Sequence, residues 1–380
     1  MAERKHISLI YQYDDNWIGG TYYILNVVRS LSTLNEGAKP FLTIFYNLGS
    51  ALNDLKSIEY PYIEYIEFST KINNLKKAFN QISLMIFDKE LFLKRLPVKK
   101  VVNFYFKTYK IDPRNIEKYF FWIADLQDLC LPHFFKQNEL ESRLKNYKRM
   151  VREKQPIVFS SNAAVSDFNR FFPENKNIKK ILPFASISSS DYAGLSIDNL
   201  KNKFEITKKY FIVCNQFWAH KNHKIVLKAF AIFIETNPDF QLLFTGKEYD
   251  HRDPKYTDEL KLYVKNNNLT DGVKFLGFIN RDEQLKLMSE SVAVIQPSLF
   301  EGWSTVVEDS KFLNKTIICS DIAVHREQLQ ESDLFFKPDN EYELVEKMEI
   351  VAADGFIAKS NYNYNAEVMK FAEKFIELFN

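Results

Sequence analysis

From residue 210 to residue 336 the chain alternates short β-branched and aromatic runs with longer helical patterns. The runs are Tyr210 to Asn215, Gln241 to Gly246, Val273 to Gly277, Val292 to Pro297, Thr316 to Ser320 and Leu334 to Phe336. Between them lie HKIVLKAFAIFIE, YTDELKLYVKNN, RDEQLKLMSES and STVVEDSKFL, each with helical spacing. Strands separated by helices of roughly 10–15 residues form βαβ units, because each helix carries the chain back so that the next strand runs parallel. Right-handed crossovers then make this stretch a doubly wound α/β unit.

The N-terminal half starts the same way. His6 to Tyr11 reads as a strand, DDNWIGG as a loop and TYYILNVVRSLSTL as an amphipathic helix. Phe41 to Tyr46, Phe120 to Ala124 and Ile157 to Ser161 are further strands. The Ser-, Asp- and Asn-rich stretch from Ala185 to Lys203 reads as a connection between two domains, 1–190 and 204–360. Residues 71–110 resist assignment. They carry ten Lys and Arg against Asp88 and Glu90, a local excess of eight, interleaved with Phe79, Phe87, Phe92, Phe104, Tyr105 and Phe106.

Composition excludes several classes. With 380 residues, 46% hydrophobic and 26% charged, the chain has material for two cores and is neither disordered nor fibrous. Fifty-one basic against 49 acidic side chains argue against a dedicated nucleic-acid binder. No apolar run approaches the ~18 residues of a membrane span. The first apolar run is too short for a signal-peptide core, so a cytoplasmic location is expected. Cys130, Cys214 and Cys319 are too few and too scattered for a disulfide framework or a zinc site.

Ligands of doubly wound sheets bind beyond the carboxyl ends of the strands, and three elements fall there. In Phe300-Glu301-Gly302-Trp303-Ser304-Thr305, Gly302 permits a tight turn and Ser304 is a good N-cap. Backbone N–H groups at Ser304 and Thr305 make an anion site suited to phosphate, and Asp309, one turn on, can accept from a diol. The same residues serve equally well as plain helix caps. In the second element, Asn215 to His223, Lys221 can reach a diphosphate or stand solvated. The third is Gly19-Gly20-Thr21, a close-approach turn or a plain tight loop. It is not GxGxxG, so the nicotinamide-cofactor fingerprint is absent.

The strings NQFWAHKNHK, LLFTGKEYDHRDPKY, VKFLGFI, WIADLQDLCLPHFF, WIGGTYYILN and PSLFEGWSTVVEDSKFLNKTIICSDIAVHREQ resemble the GT-B glycosyltransferases of family 4. Their order and spacing over nearly the whole chain carry the resemblance, most strongly from 210 to 330. It implies two Rossmann-like domains facing a cleft, the first holding the acceptor and the second the donor, with the terminal helix 366–380 crossing back onto the first. Glu301 matches the first acid of the family signature, near the transferring centre. The second acid falls on Asp309, shorter than the usual Glu, as the ribose contact. Lys221 matches the phosphate-binding lysine. The family's partner arginine falls on uncharged Gln216, which leaves more of the diphosphate to Ser304 and Thr305. Gly20 lies in the family's first loop, Phe278 where the chain borders the base, and Asp128 where a histidine often stands beside the sugar.

The function implied is a retaining, metal-independent glycosyltransferase with no cofactor beyond its nucleotide-sugar donor. Its acceptor would be a glycan or lipid-linked glycan of bacterial surface polysaccharide assembly. A noncatalytic glycan- or partner-binding subunit and a nucleotide-sugar epimerase are the alternatives. The basic, aromatic segment 71–110 adds the expectation of peripheral contact with the inner face of the membrane.

Overall fold

The computed structural model describes residues 4–11, 18–87, 90–105, 111–187, 190–329, 334–353, 356 and 362–380. The loop residues Asp14 to Trp17, and Asp88, Lys89, Phe106, Lys107 and Lys110 of the basic segment, lie outside them.

The first sheet has seven parallel strands: β1 (His6–Tyr11), β2 (Phe41–Tyr46), β3 (Ile63–Glu67), β4 (Val101–Tyr105), β5 (Ile116–Ile123), β6 (Ile157–Phe159) and β7 (Lys179–Ile181). Their order is β3-β2-β1-β4-β5-β6-β7. The second has six: β8 (Lys209–Cys214), β9 (Phe240–Thr245), β10 (Val273–Phe275), β11 (Ala293–Gln296), β12 (Ile317–Ser320) and β13 (Phe335–Phe336), in the order β10-β9-β8-β11-β12-β13. All pairings are parallel. Central strands such as β9 and β11 are buried throughout, as sheets covered on both faces must be. Strand order reverses between β1 and β4 and between β8 and β11, which opens a crevice at the strand ends of each sheet.

This is the two-domain GT-B arrangement, as expected. The closing helix Tyr364–Glu377 returns to the first domain. Its Val368, Phe371 and Phe375 join the core of β1 and the first helix, Ile18–Ser32, and Phe379 meets Phe120 edge to face. That helix starts at Ile18, so Gly19 and Gly20 lie in its first turn.

The stretch after Ala185 is not a free linker. Ser186 is buried, and the Ile187 N–H and carbonyl are held by Asn26 and Arg29. The helix Ile197–Phe204 already packs into the second domain through Leu200, so that domain begins before residue 204. The basic segment splits in character. Phe104 is fully buried on β4, whereas Phe79 and Phe87 are exposed on the helix Asn74–Phe87.

The domains are joined by polar contacts. Trp303 Nε1 donates to the Phe184 carbonyl at 3.0 Å. The Glu327 carboxylate accepts from the Asn162 N–H at 2.9 Å, at the start of the helix Asn162–Phe171. Tyr364 donates to Glu308 Oε2 at 3.0 Å and accepts from the Ser186 N–H at 2.7 Å. Tyr364→Phe leaves Glu308 and the Ser186 N–H each short of a buried partner. It should cost about 1–3 kcal/mol, read as a lowered midpoint in urea unfolding.

Candidate functional site

The crevice at the reversal of the second sheet collects the polar side chains that follow β8, β11 and β12. Asn215, directly after β8, donates from Nδ2 to Gln296 Oε1 on β11 at 2.8 Å and ties the two diverging strands together. Gln296 in turn donates from Nε2 to Glu301 Oε1 at 2.8 Å. Lys221 ends a short 3₁₀ turn, Ala219–Lys221, and Asn222 follows in the left-handed region with φ 56°. This turn aims the Lys221 ammonium across the crevice, where Nζ meets Glu301 Oε1 at 2.5 Å.

Both members of that pair are largely buried, with 15% and 10% of their side chains exposed. Burial pushes the Glu301 carboxyl up. The Lys221 charge and hydrogen bond outweigh it and hold the group below the usual carboxylate range. Three histidines surround the pair and are kept neutral by burial: His220 well below the ordinary value, His223 at about 3, and His325 below its ordinary range. His325 Nδ1 lies 2.9 Å from the Ser320 carbonyl, which can only accept. Nδ1 therefore carries the proton and Nε2 is an acceptor, buried and with no hydrogen-bond partner among the described residues.

The facing wall comes from the first domain. A Cβ on Gly302 would lie 2.4 Å from the Ala124 carbonyl oxygen and 2.9 Å from Asp125 Cβ. Only glycine lets the loop after β11 close against the end of β5. Asp125 accepts from the Gln127 N–H at 3.0 Å, and burial raises its carboxyl.

Glu301, Lys221 and Gly302 thus come together, and Gln216, half-buried, borders the same turn. Phe278 follows Gly277 (φ 67°) and is 70% exposed beyond β10, open to a planar ligand. Gly20 is buried in the first helix. Thr305 is exposed at the first turn of the helix Thr305–Phe312, where its N–H has no intrahelical acceptor.

Three expectations need correction. The Ser304 N–H is not free, since it donates to Gln328 Oε1 at 3.0 Å and Ser304 is buried. Asp309 is not an open diol acceptor, because Arg281 grips both carboxylate oxygens, at 2.8 and 2.5 Å, and Ser186 Oγ donates at 2.7 Å. Asp128 does not stand open to the cleft. It is fully buried and accepts from the Tyr147 hydroxyl at 2.9 Å. The acid at the cleft wall is Asp125, three residues earlier.

Arg281, Gln328, Gln296, His325 and Asp125 were not singled out from sequence. Gln328, His325 and Asp125 lie inside the quoted strings, but only the fold shows which way their side chains point. Among the described residues, no three His, Cys, Asp or Glu side chains converge to hold a metal ion.

Residues 196–369 match the family model described as "Glycosyl transferases group 1". The chain is 23% identical over 268 residues to the O-antigen chain mannosyltransferase RfbU of Salmonella typhimurium, covering 64% of this chain and 72% of that one. It is 24% identical over 203 residues to the N-acetylgalactosamine-N,N'-diacetylbacillosaminyl-diphospho-undecaprenol 4-alpha-N-acetylgalactosaminyltransferase of Campylobacter jejuni. That match covers 50% of this chain and 53% of that one, about half of each. The crystal structure of Anabaena Alr3699/HepE in complex with UDP and glucose shares the fold, with TM-score 0.68, 14% identity and 98% of both chains covered. Together these likenesses show a GT-B fold and a second half that resembles glycosyl transferases group 1.

Because Glu301 has a depressed carboxyl in the folded state, its pairing stabilises the protein at neutral pH. That stabilisation is lost as pH falls through the depressed value. In Lys221→Met the main influence opposing burial is removed and only weaker ones, such as the Ser298 hydrogen bond, remain, so Glu301 should titrate above the ordinary carboxylate range. The shift is measurable as the pH dependence of its side-chain carboxyl carbon by NMR. A titration still below that range would show that Lys221 does not control the group.

Proposed function

We propose that the chain is a retaining glycosyltransferase that moves a sugar from a nucleotide diphosphate donor to a glycan or lipid-linked glycan. The observation that carries the reading is the Lys221–Glu301 pair, set at the strand reversal of the second sheet and walled by Ala124 and Asp125 of the first. A cleft with an ammonium on one side and a carboxylate beside it suits a diphosphate and a polyhydroxy ring. The second relative's name gives a diphospho-undecaprenol-linked substrate, which supports an acceptor of that kind here.

In this reading the bond between the anomeric carbon and the diphosphate oxygen breaks first. Lys221 and the Thr305 N–H at its helix start stabilise the charge that develops on the leaving group. The acceptor hydroxyl attacks from the same face. Its oxygen bonds the anomeric carbon and its proton passes to a departing phosphate oxygen. Glu301 orients Lys221 and accepts from sugar hydroxyls. Phe278 offers its ring to the base. Charge neutralisation by Lys221 takes the part a divalent ion plays elsewhere, so the transfer is metal-independent.

Two observations favour a second reading. Arg281 occupies Asp309, and Gln216 lacks charge, which together suit a subunit that binds glycan or partner without turnover. A panel of UDP-, GDP- and dTDP-sugars separates the two. Slow release of free sugar from one donor supports the transferase, and failure to bind any nucleotide supports the noncatalytic subunit.

With the donor found, Glu301→Gln should reduce kcat at least a hundredfold while nucleotide affinity changes little. Lys221→Ala should weaken nucleoside diphosphate binding by about 1.5–3 kcal/mol, read by calorimetry. Turnover should survive excess EDTA; activity lost and then restored by Mg²⁺ would refute the metal-independent route.

A further inference from the structure

The helix Asn74–Phe87 turns the usual pattern of a surface helix inside out. Its two buried side chains are polar, Asn80 and Ser83. Its large apolar side chains face outward, with Leu75 73%, Phe79 56%, Ile82 53%, Met85 87%, Ile86 66% and Phe87 71% exposed. Leu75, Phe79, Ile82 and Ile86 recur at helical spacing and form one stripe. Leu91 extends the apolar surface beyond the helix, at 63% exposed. No other described stretch gathers so many exposed large apolar side chains.

The orientation is held by hydrogen bonds. Asn80 Oδ1 accepts from the N–H groups of Leu91 and Phe92 at 3.0 and 2.8 Å, and Nδ2 donates to the Phe92 carbonyl at 2.8 Å. Rolling the helix to bury its stripe would break all three. The exposed face is therefore a built feature.

Charge decides what covers it. The helix has no acidic residue, and Lys71, Lys76 and Lys77 at its start have no carboxylate partner among the described residues. Lys94 and Lys99, exposed just after it, also lack one. A second copy of the chain would bring the same cations face to face. An uncharged partner would leave them unpaired. We propose that this helix lays its apolar stripe into an anionic lipid surface, with the lysines at the phosphate level. Apolar burial at the headgroup boundary and attraction by basic side chains are the two terms such docking needs.

The test is flotation of the full chain with phosphatidylcholine vesicles and with vesicles of phosphatidylcholine mixed with phosphatidylglycerol. The protein should float with the anionic vesicles, stay behind with the neutral ones, and be released by high salt. Each Lys→Ala change at Lys76 or Lys77 should weaken binding roughly fivefold, the factor equivalent to about 1 kcal/mol per basic side chain. Phe79→Asn, Ile82→Asn and Ile86→Asn together should abolish flotation at any salt, with an unchanged circular dichroism spectrum because all three are exposed. Should that variant misfold, Phe79→Trp serves instead: the indole emission it adds to that of the parent should shift to the blue on adding anionic vesicles. Equal recovery from neutral and anionic vesicles, flotation unaffected by the triple change, or an unshifted added emission in Phe79→Trp would each overturn the proposal. So would a parent that is dimeric and fails to float while the triple variant is monomeric, which would make the stripe a copy interface. None of these outcomes depends on sugar transfer.

Discussion

The relation between the two domains rests on a buried polar network around the helix Thr305–Phe312. Glu308, Asp309 and Lys311 of this helix are all buried. Buried charges persist only when paired and hydrogen-bonded. Lys311, Gln328 and Tyr364 satisfy Glu308, while Arg281 and Ser186 satisfy Asp309. Tyr364 belongs to the closing helix and Ser186 to the connection between the domains. One helix of the second domain thus holds both passages of the chain into the first. Separating the domains would strip partners from these charges, so their mutual placement is coupled to the stability of the second domain.

The network also explains which parts of the strand-end loop remain for a ligand. Capping by Gln328 takes the Ser304 N–H, and the Arg281 grip takes Asp309. What faces the cleft is the adjacent set: Lys221, Glu301, exposed Thr305 and exposed Phe278. These groups sit at the reversal between β8 and β11, where helices leave the sheet on opposite sides and no crossover fills the gap. Gly302 brings the Ala124–Asp125 end of the first sheet to within backbone contact of this crevice.

Electrostatics inside the crevice are simple for so polar a place. Burial keeps His220, His223 and His325 uncharged, so Lys221 is the cation opposite Glu301. Arg252 is nearby but occupied. Its Nε donates to Asp250 at 3.0 Å, and it packs over Phe135 of the first domain and Trp218 of the second. The Lys221 ammonium and the Glu301 carboxylate face each other among neutral imidazoles, a donor for a phosphate beside an acceptor for a sugar hydroxyl.

The sequence by itself determined the two doubly wound units, since strand runs and helical periods are local patterns that burial on both faces of a parallel sheet imposes. It also showed that Glu301, Gly302 and Lys221 follow strand ends, because strand ends and helix starts are readable from a run such as VAVIQP followed by Ser304; that Lys221 meets Glu301 came only with folding. Edge strand β3, with its half-exposed alternation, and three-residue β6 and β7 carry too weak a pattern for their limits to be read. The tertiary structure alone decided the fate of Asp309, Ser304 and Asp128. Each has the right residue type for a ligand, but its partner, whether Arg281, Gln328 or Tyr147, lies 19 or more positions away and arrives only by folding. Likewise the helix Asn74–Phe87 has an apolar stripe that local periodicity would turn inward. Three hydrogen bonds from Asn80 to residues 91 and 92 turn it outward, because a buried amide must be satisfied whereas an exposed apolar face can still be covered by something else.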